Sequence, residues 1–339
     1  MTNEPIRNRR SSGRITLADV AKVVGVGQMT VSRALRTPEM VSEPLRKRIE
    51  EAVIELGYVP NFSARQLASA EARNLVIVTS SITSVENTLI LSALQKSLSE
   101  LELQIVILIA TQKSWFKELL NHAPQAIAFL NVECPEEVSE WIKNSKIPTV
   151  EIGTIKDNPI HLNVGIDSKE AMENMIHFLI KKGYREIGLL SAKQDLQIFK
   201  QYLESWHTTL FTKHIDPLMI HHIAEEISFS AGATLLNDAL LNWGNIDALV
   251  FLSDQLACGA LYEALRRHIN IPKEIAVASL GGLEVGNISY PRLTTIAIPY
   301  EQMGKIAGKQ LTTLLKGKRL LSDEMVVKLS TKLVERDST

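Results

Sequence analysis

Cysteine is nearly missing from this chain, with only Cys134 and Cys258 among 339 residues. Two thiols so far apart in sequence build neither a disulfide framework nor a four-thiolate zinc site, which points to a reducing compartment. Long apolar runs are missing too. The longest, Ile105–Ala110, is far short of the roughly 20 residues that cross a bilayer. The first residues, MTNEPIRNRRSSGR, carry no apolar h-region, so a cytoplasmic protein without a membrane partner is expected. Aromatic residues are scarce at 5%, and the four Trp are scattered as helix-packing residues rather than gathered into a base-stacking platform. No HExxH occurs and His221-His222 stand alone as neighbours, so no metal site is expected. GxSxG and the phosphate-binding GxxxxGK are absent. GVGQMT (25–30) follows no strand, and GGLEVG (281–286) runs on to Pro291 without an obvious helix, so no nucleotide cofactor and no enzyme are expected. There is no internal repeat and no low-complexity tract.

No charge of one sign dominates, with 37 Lys+Arg against 38 Asp+Glu. The distribution is nevertheless uneven. Residues 1–73 hold 12 basic and 8 acidic residues and the remainder 25 and 30, so a basic head precedes an acidic body. That asymmetry suits a polyanion-binding module joined to another domain, and equally a solubilising tail.

Residues 15–58 read as three short helices. The first, 16–24, carries Leu17, Val20, Ala21 and Val24 on one face and is capped by Thr16 and Asp19. Gly25 supplies the turn, and a second helix runs from near Gly27 to Leu35. A third begins after Ser42 and stops at Gly57. Two short helices around a tight turn are the helix-turn-helix arrangement, in which the second helix enters the major groove. Gln28, Met29, Thr30, Ser32 and Arg33 face outward at the start of that helix. Gln28 suits adenine, Arg33 suits guanine, and Thr30 and Ser32 reach phosphates. The plainer alternative is an ordinary helical hairpin with a polar outer face.

Residues 61–73 (NFSARQLASAEAR) form a marginal helical linker. From Leu75 the pattern changes. Short apolar runs at 75–78, 105–110, 126–130, 148–152, 187–190, 248–252 and 275–279 alternate with amphipathic stretches such as 168–181 and 254–267. This predicts parallel sheets with crossover helices, in two α/β lobes. The expected organisation is 1–60 head, 61–73 hinge and 74–339 body.

TLADVAKVVGVGQMTVSRAL followed by VS and ELGYVPNFSARQL resembles the LacI/GalR family of bacterial transcription factors. IPKEIAVAS and YPRLTTIAIPYEQMGKIAGKQLTTLLKG continue the resemblance to nearly the whole chain after residue 14. It implies a homodimer that binds a palindromic operator in double-stranded DNA. Gln28 and Met29 take the specificity positions, Arg33 a base or phosphate, and Thr16 joins the DNA-contacting set. Asn61 opens a hinge that folds on DNA and inserts Leu67, with Ala64 beside it, into the minor groove. It also implies a two-lobed body like a periplasmic sugar-binding protein, with a small effector in the cleft.

The effector positions depart from the family. Ser279-Leu280-Gly281-Gly282 stands where a sugar-binding Asp is usual, Ser253-Asp254 replaces an Asn-Asp pair, and KQDLQIFKQYLESW lacks the usual Arg. NVGIDSKEA and GGLEVG resemble the repressors of gluconate and idonate catabolism, implying a sugar acid or its phosphate as effector. Asp167, Lys200, Ser253 and Asp254 are the expected effector contacts. Their plainer readings are helix caps, a turn residue and a solvated charge. A sugar-binding protein or α/β enzyme with an accessory head, and a regulator whose pocket binds nothing, are the competing functions.

Overall fold

The computed structural model describes residues 15–58, 74–110, 114–193 and 196–339. The chain divides into two units, residues 1–72 and 73–339.

In the first unit, α1 (Leu17–Val24), α2 (Gln28–Arg36) and α3 (Glu43–Leu56) enclose a small core, with a 3-10 turn at Pro38–Met40. Val20, Val31 and Ile49, one from each helix, have no exposed surface, and Ala21, Ala34 and Ala52 pack beside them. Small residues at these positions let the helices approach closely. Gly25 ends α1 at φ 75°, where a side chain would be strained, and the Val26 amide returns to the Ala21 carbonyl at 3.0 Å. Arg48 of α3 donates to the last carbonyl of α1, Val24 O, at 3.0 Å. This tie holds the hairpin against α3, and the spacing pattern gave no sign of it.

The second unit holds two six-stranded sheets. The first is built from β1 (Asn74–Thr79), β2 (Gln104–Ile109), β3 (Ala126–Leu130), β4 (Thr149–Thr154), β5 (Leu162–Ile166) and β11 (Val326–Leu329). Its order is β11-β5-β4-β3-β1-β2, all parallel. The second uses β6 (Ile187–Ser191), β7 (Ile220–His222), β8 (Ala248–Phe251), β9 (Ala276–Gly281), β10 (Thr294–Ala297) and β12 (Lys332–Val334). Its order is β12-β10-β9-β8-β6-β7, parallel except for β12 against β10. The chain therefore passes between sheets after β5, after β10 and after β11.

The helices are α4 (Val85–Ser97), α5 (Trp115–Asn121), α6 (Glu136–Ser145), α7 (Ser168–Lys182), α8 (Leu196–Thr212), α9 (Phe229–Asn242), α10 (Asp254–Arg266), α11 (Val285–Ile288), α12 (Tyr300–Leu315) and α13 (Ser322–Met325). GGLEVG, expected to run on to Pro291 without an obvious helix, ends in the single turn α11, which begins at Val285. Strands at the seven apolar runs match the periodicity to within a residue or two. The apolar pattern does not reveal β5, whose sequence LNVGI contains two weak strand formers. Tertiary pairing overrides that propensity. Asn163 is fully buried and donates to Glu151 O and Thr154 O, both at 3.0 Å, while its oxygen accepts the Lys156 amide at 2.8 Å. In both sheets the chain reverses direction of travel across the sheet between its first two neighbouring strands, β1/β3 and β6/β8. Polar ligands bind beyond the carboxyl ends of strands at such reversals.

Candidate functional site

The outer face of α2 is built by exclusion. Val31 and Ala34 are committed to the core, so helical spacing leaves Gln28, Met29 and Arg33 exposed, Met29 at 73%. Thr30 and Ser32, expected outward, are half-buried. Thr16 donates through its amide (2.8 Å) and its hydroxyl (2.7 Å) to Asp19 Oδ2. These bonds hold the Asp19 carboxyl below its ordinary range and fix the start of α1. Asn61, Ala64 and Leu67 lie outside the described residues.

The body carries a cleft of about 180 Å³ at the carboxyl ends of β1, β3 and β4 of one sheet and of β6, β8 and β9 of the other. Its two walls differ in chemistry. The first-sheet wall presents hydroxyls and amides from Ser80, Ser81, Thr83, Asn87, Asn131 and Thr154. The second-sheet side is mostly aliphatic, with Ile198, Ile227, Leu252, Leu280 and Ile298, and carries Lys193, Glu226 and Gln255 as its polar members. Such a pairing accommodates a ligand with hydroxyls on one face and carbon on the other.

The polar wall is braced from behind. Asn131 follows β3 in the left-handed region at φ 47° and donates through Nδ2 to Asn87 Oδ1 at 2.7 Å. Asn87 donates onward to Thr79 Oγ1 (3.1 Å) and Ser81 O (2.9 Å). Ser84 caps α4, accepting the Asn87 amide at 3.2 Å, and its hydroxyl donates to Glu86 at 2.6 Å. Gly153 makes this possible. It sits at φ 137°, and a Cβ there would lie 2.1 Å from Asn131 Oδ1. Tyr202 and Tyr300 also line the cleft. Burial pushes the Tyr202 hydroxyl up to about 12, and burial with Glu86 nearby raises Tyr300 well above its ordinary value. Both remain neutral hydroxyls, able to donate or accept. The charged lining residues are Glu86, Lys193 and Glu226, and Lys193 is ion-paired with Glu226.

A narrow recess continues past Asn131, Thr154 and Ile198 to Glu151 and Lys156. Glu151 is buried and accepts Lys156 Nζ and the Ile160 amide, each at 2.7 Å, which pins the loop after β4. Burial, aided by Glu151, pushes the nearby Cys134 thiol up to about 12, which favours the protonated form.

None of the four residues expected to touch an effector lines this cleft. Asp167 caps α7, accepting the Lys169 and Glu170 amides at 3.1 Å and Lys328 Nζ at 3.0 Å. Ser253 caps α10 and accepts the Gln255 amide at 3.2 Å. Asp254 is wholly buried among protein donors, and Lys200 lies exposed on α8. For Asp167 and Ser253 the physical reason is capping, whereas Asp254 is taken up by Ser279, Thr295 and the Leu283 amide. A strand-to-helix junction leaves amides unpaired, and short polar side chains there satisfy them before any ligand does. The cleft instead recruits Asn87, Asn131, Lys193 and Glu226. Asn131 and Lys193 lie one and two residues past a strand end, which is the signal that sequence inspection passed over.

The model of bacterial regulatory proteins of the lacI family matches residues 16–61, and that of periplasmic binding protein-like domains matches 176–339. The HTH-type transcriptional regulator GntR of Pseudomonas aeruginosa is 30% identical over 342 residues, covering 98% of each chain. The regulator of the same name from Escherichia coli is 29% identical, over 90% of this chain and 93% of its own. A LacI-family transcriptional regulator from Silicibacter pomeroyi superposes with a TM-score of 0.85 at 26% identity, over 96% of this chain and 99% of the other.

Proposed function

The chain belongs to the LacI family of bacterial regulatory proteins, and on that premise we propose that it represses genes of carbohydrate or sugar-acid catabolism in the cytoplasm under control of a small effector. The observation that carries DNA reading is the division of α2, with Val31 and Ala34 sealed in the core and Gln28, Met29 and Arg33 left facing out. Gln28, Met29 and Arg33 read base edges, and Thr16, Thr30 and Ser32 position the helix on phosphates. The head comprises 1–60, the hinge 61–73 and the body 74–339. Asn61, Ala64 and Leu67 belong to the hinge, where Leu67 acts as a wedge that opens the central base step.

The effector occupies the cleft between the two sheets, with its hydroxyls on the Asn87–Asn131 wall. It acts through its different affinity for open and closed arrangements of the two lobes, which shifts their populations and with them the order of the hinge. An exposed apolar group, Phe229 and Tyr262 (rings 6.3 Å apart) with Leu265, supports association of two copies into the dimer that reads a palindrome. The proposal is tested by selecting bound sequences from random duplex DNA with the full-length protein. A palindrome with half-sites about one helical turn apart is expected. Absence of any enriched sequence, with and without a sugar-acid mixture, would overturn it.

A further inference from the structure

The charged groups of the cleft are unevenly placed, and the arrangement specifies how an acid must enter. Among the described lining residues Lys193 is the single cation, against the carboxylates of Glu86 and Glu226. Lys193 follows β6 and Glu226 follows β7, and the Lys193 amide donates to Glu225 O at 2.9 Å. The Lys193–Glu226 pair is therefore local to the second-sheet rim and ties nothing to the first. Its side chains are 55% and 71% exposed. A pair so hydrated is held weakly, and releasing Glu226 into water costs little. Glu86 lies on the first-sheet side, where Ser84 donates to it. A ligand carboxylate placed there would meet like charge, whereas a ligand hydroxyl could donate to it.

We propose that Lys193 is the acid-recognising residue of the cleft and that Glu226 is its resident competitor, displaced when an acidic effector binds. The ligand then has one orientation. Its carboxylate or phosphate takes the place of Glu226 on Lys193, and its hydroxylated chain runs toward Asn87, Asn131 and Glu86. No bond is made or broken; one ion pair is exchanged for another. Glu226 thereby lowers the affinity for acids without touching them, which sets the effector concentration at which the regulator responds.

This inference rests on the sugar-acid reading of the effector, and calorimetry on the full-length protein separates the two. The probes are D-gluconate, 6-phosphogluconate and the uncharged D-glucitol, and the variants are Lys193→Met and Glu226→Gln. Both side chains are more than half exposed, so unchanged melting temperatures are the check on folding. Lys193→Met should weaken acid binding on the order of 10- to 100-fold, as expected for loss of a hydrogen-bonded charge partner. Glu226→Gln should tighten it about twofold to fivefold, the range of an exposed pair, and leave D-glucitol unaffected. If the wild type binds an acid but neither substitution changes its affinity, or if Glu226→Gln weakens it, the competitor role is overturned while the sugar-acid reading stands. If neither wild type nor Glu226→Gln binds an acid at millimolar concentration, the sugar-acid reading falls and this inference with it.

Discussion

Ser279 Oγ donates to Asp254 Oδ1 at 2.5 Å in a part of the body where both residues have essentially no exposed surface. Thr295 Oγ1 donates to the same oxygen at 3.0 Å, and the Leu283 amide donates to Oδ2. One carboxylate thus clamps the start of α10, the end of β9, the loop after it and β10. Leu280, inside that clamp, forms part of the cleft's aliphatic side. Asp254 shapes the site from behind and does not face it.

Asp254→Ala should therefore cost about 2–4 kcal/mol of stability, because several buried donors lose their shared acceptor at once. Urea unfolding of the body measures it. A cost under about 0.5 kcal/mol, the range of ordinary surface substitutions, would show that the clamp carries no stability.

The same residue makes a pH prediction. Burial raises the Asp254 pKa above its ordinary 3.8, against the opposing pull of its hydrogen bonds. A carboxyl raised on folding binds protons more readily in the native state, so its contribution is fully present below 3.8 and is lost as pH rises through the native value. The stability of wild type relative to Asp254→Asn should accordingly decline as pH rises above about 4. A difference that grows with pH would mean that the hydrogen bonds outweigh burial.

Gly153→Ala should disorganise the polar wall. The new Cβ would collide with the Asn131 amide, and φ 137° is itself unfavourable for a side chain. A loss of about 1–3 kcal/mol is expected from the strain alone, together with loss of effector response. Asn131→Ala relieves the collision but removes the bond to Asn87. The double variant should therefore regain only the stability lost to the collision, the backbone strain at residue 153 remaining, without regaining response, as read by thermal melting and by operator release.

Arg33→Ala and Gln28→Ala should each weaken operator binding by about 1–3 kcal/mol while leaving the melting of the head unchanged, since both side chains are exposed. Fluorescence anisotropy at fixed salt is the measurement, and unaltered affinity would remove the residue from the reading face.

Leu67→Ala should weaken binding to the specific operator more than to random duplex, because a wedge acts only where the central step can be opened. Equal losses on both DNAs would argue against a wedge.

The sequence by itself determined the head almost completely. Helical spacing of Val20, Val31 and Ile49 dictates which faces are buried, and what remains on α2 follows by subtraction, apart from the partial burial of Thr30 and Ser32. It also determined that the body alternates strand and helix, since fully buried parallel strands appear as unbroken apolar runs. Tertiary structure alone decided which polar residues face the cleft. At a strand end the direction of a side chain depends on register and on which neighbouring amides need partners. Asp167, Ser253 and Asp254 were drawn into caps and a clamp, while Asn131, turned by its left-handed backbone and seated over a glycine from the next strand, became part of the wall. The β5 strand had the same origin. Its buried Asn163 is stable only because Glu151, Thr154 and Lys156 supply partners from a neighbouring strand and loop. A pairwise hydrogen bond across a fold leaves no periodic trace in the chain, whereas burial of a face does.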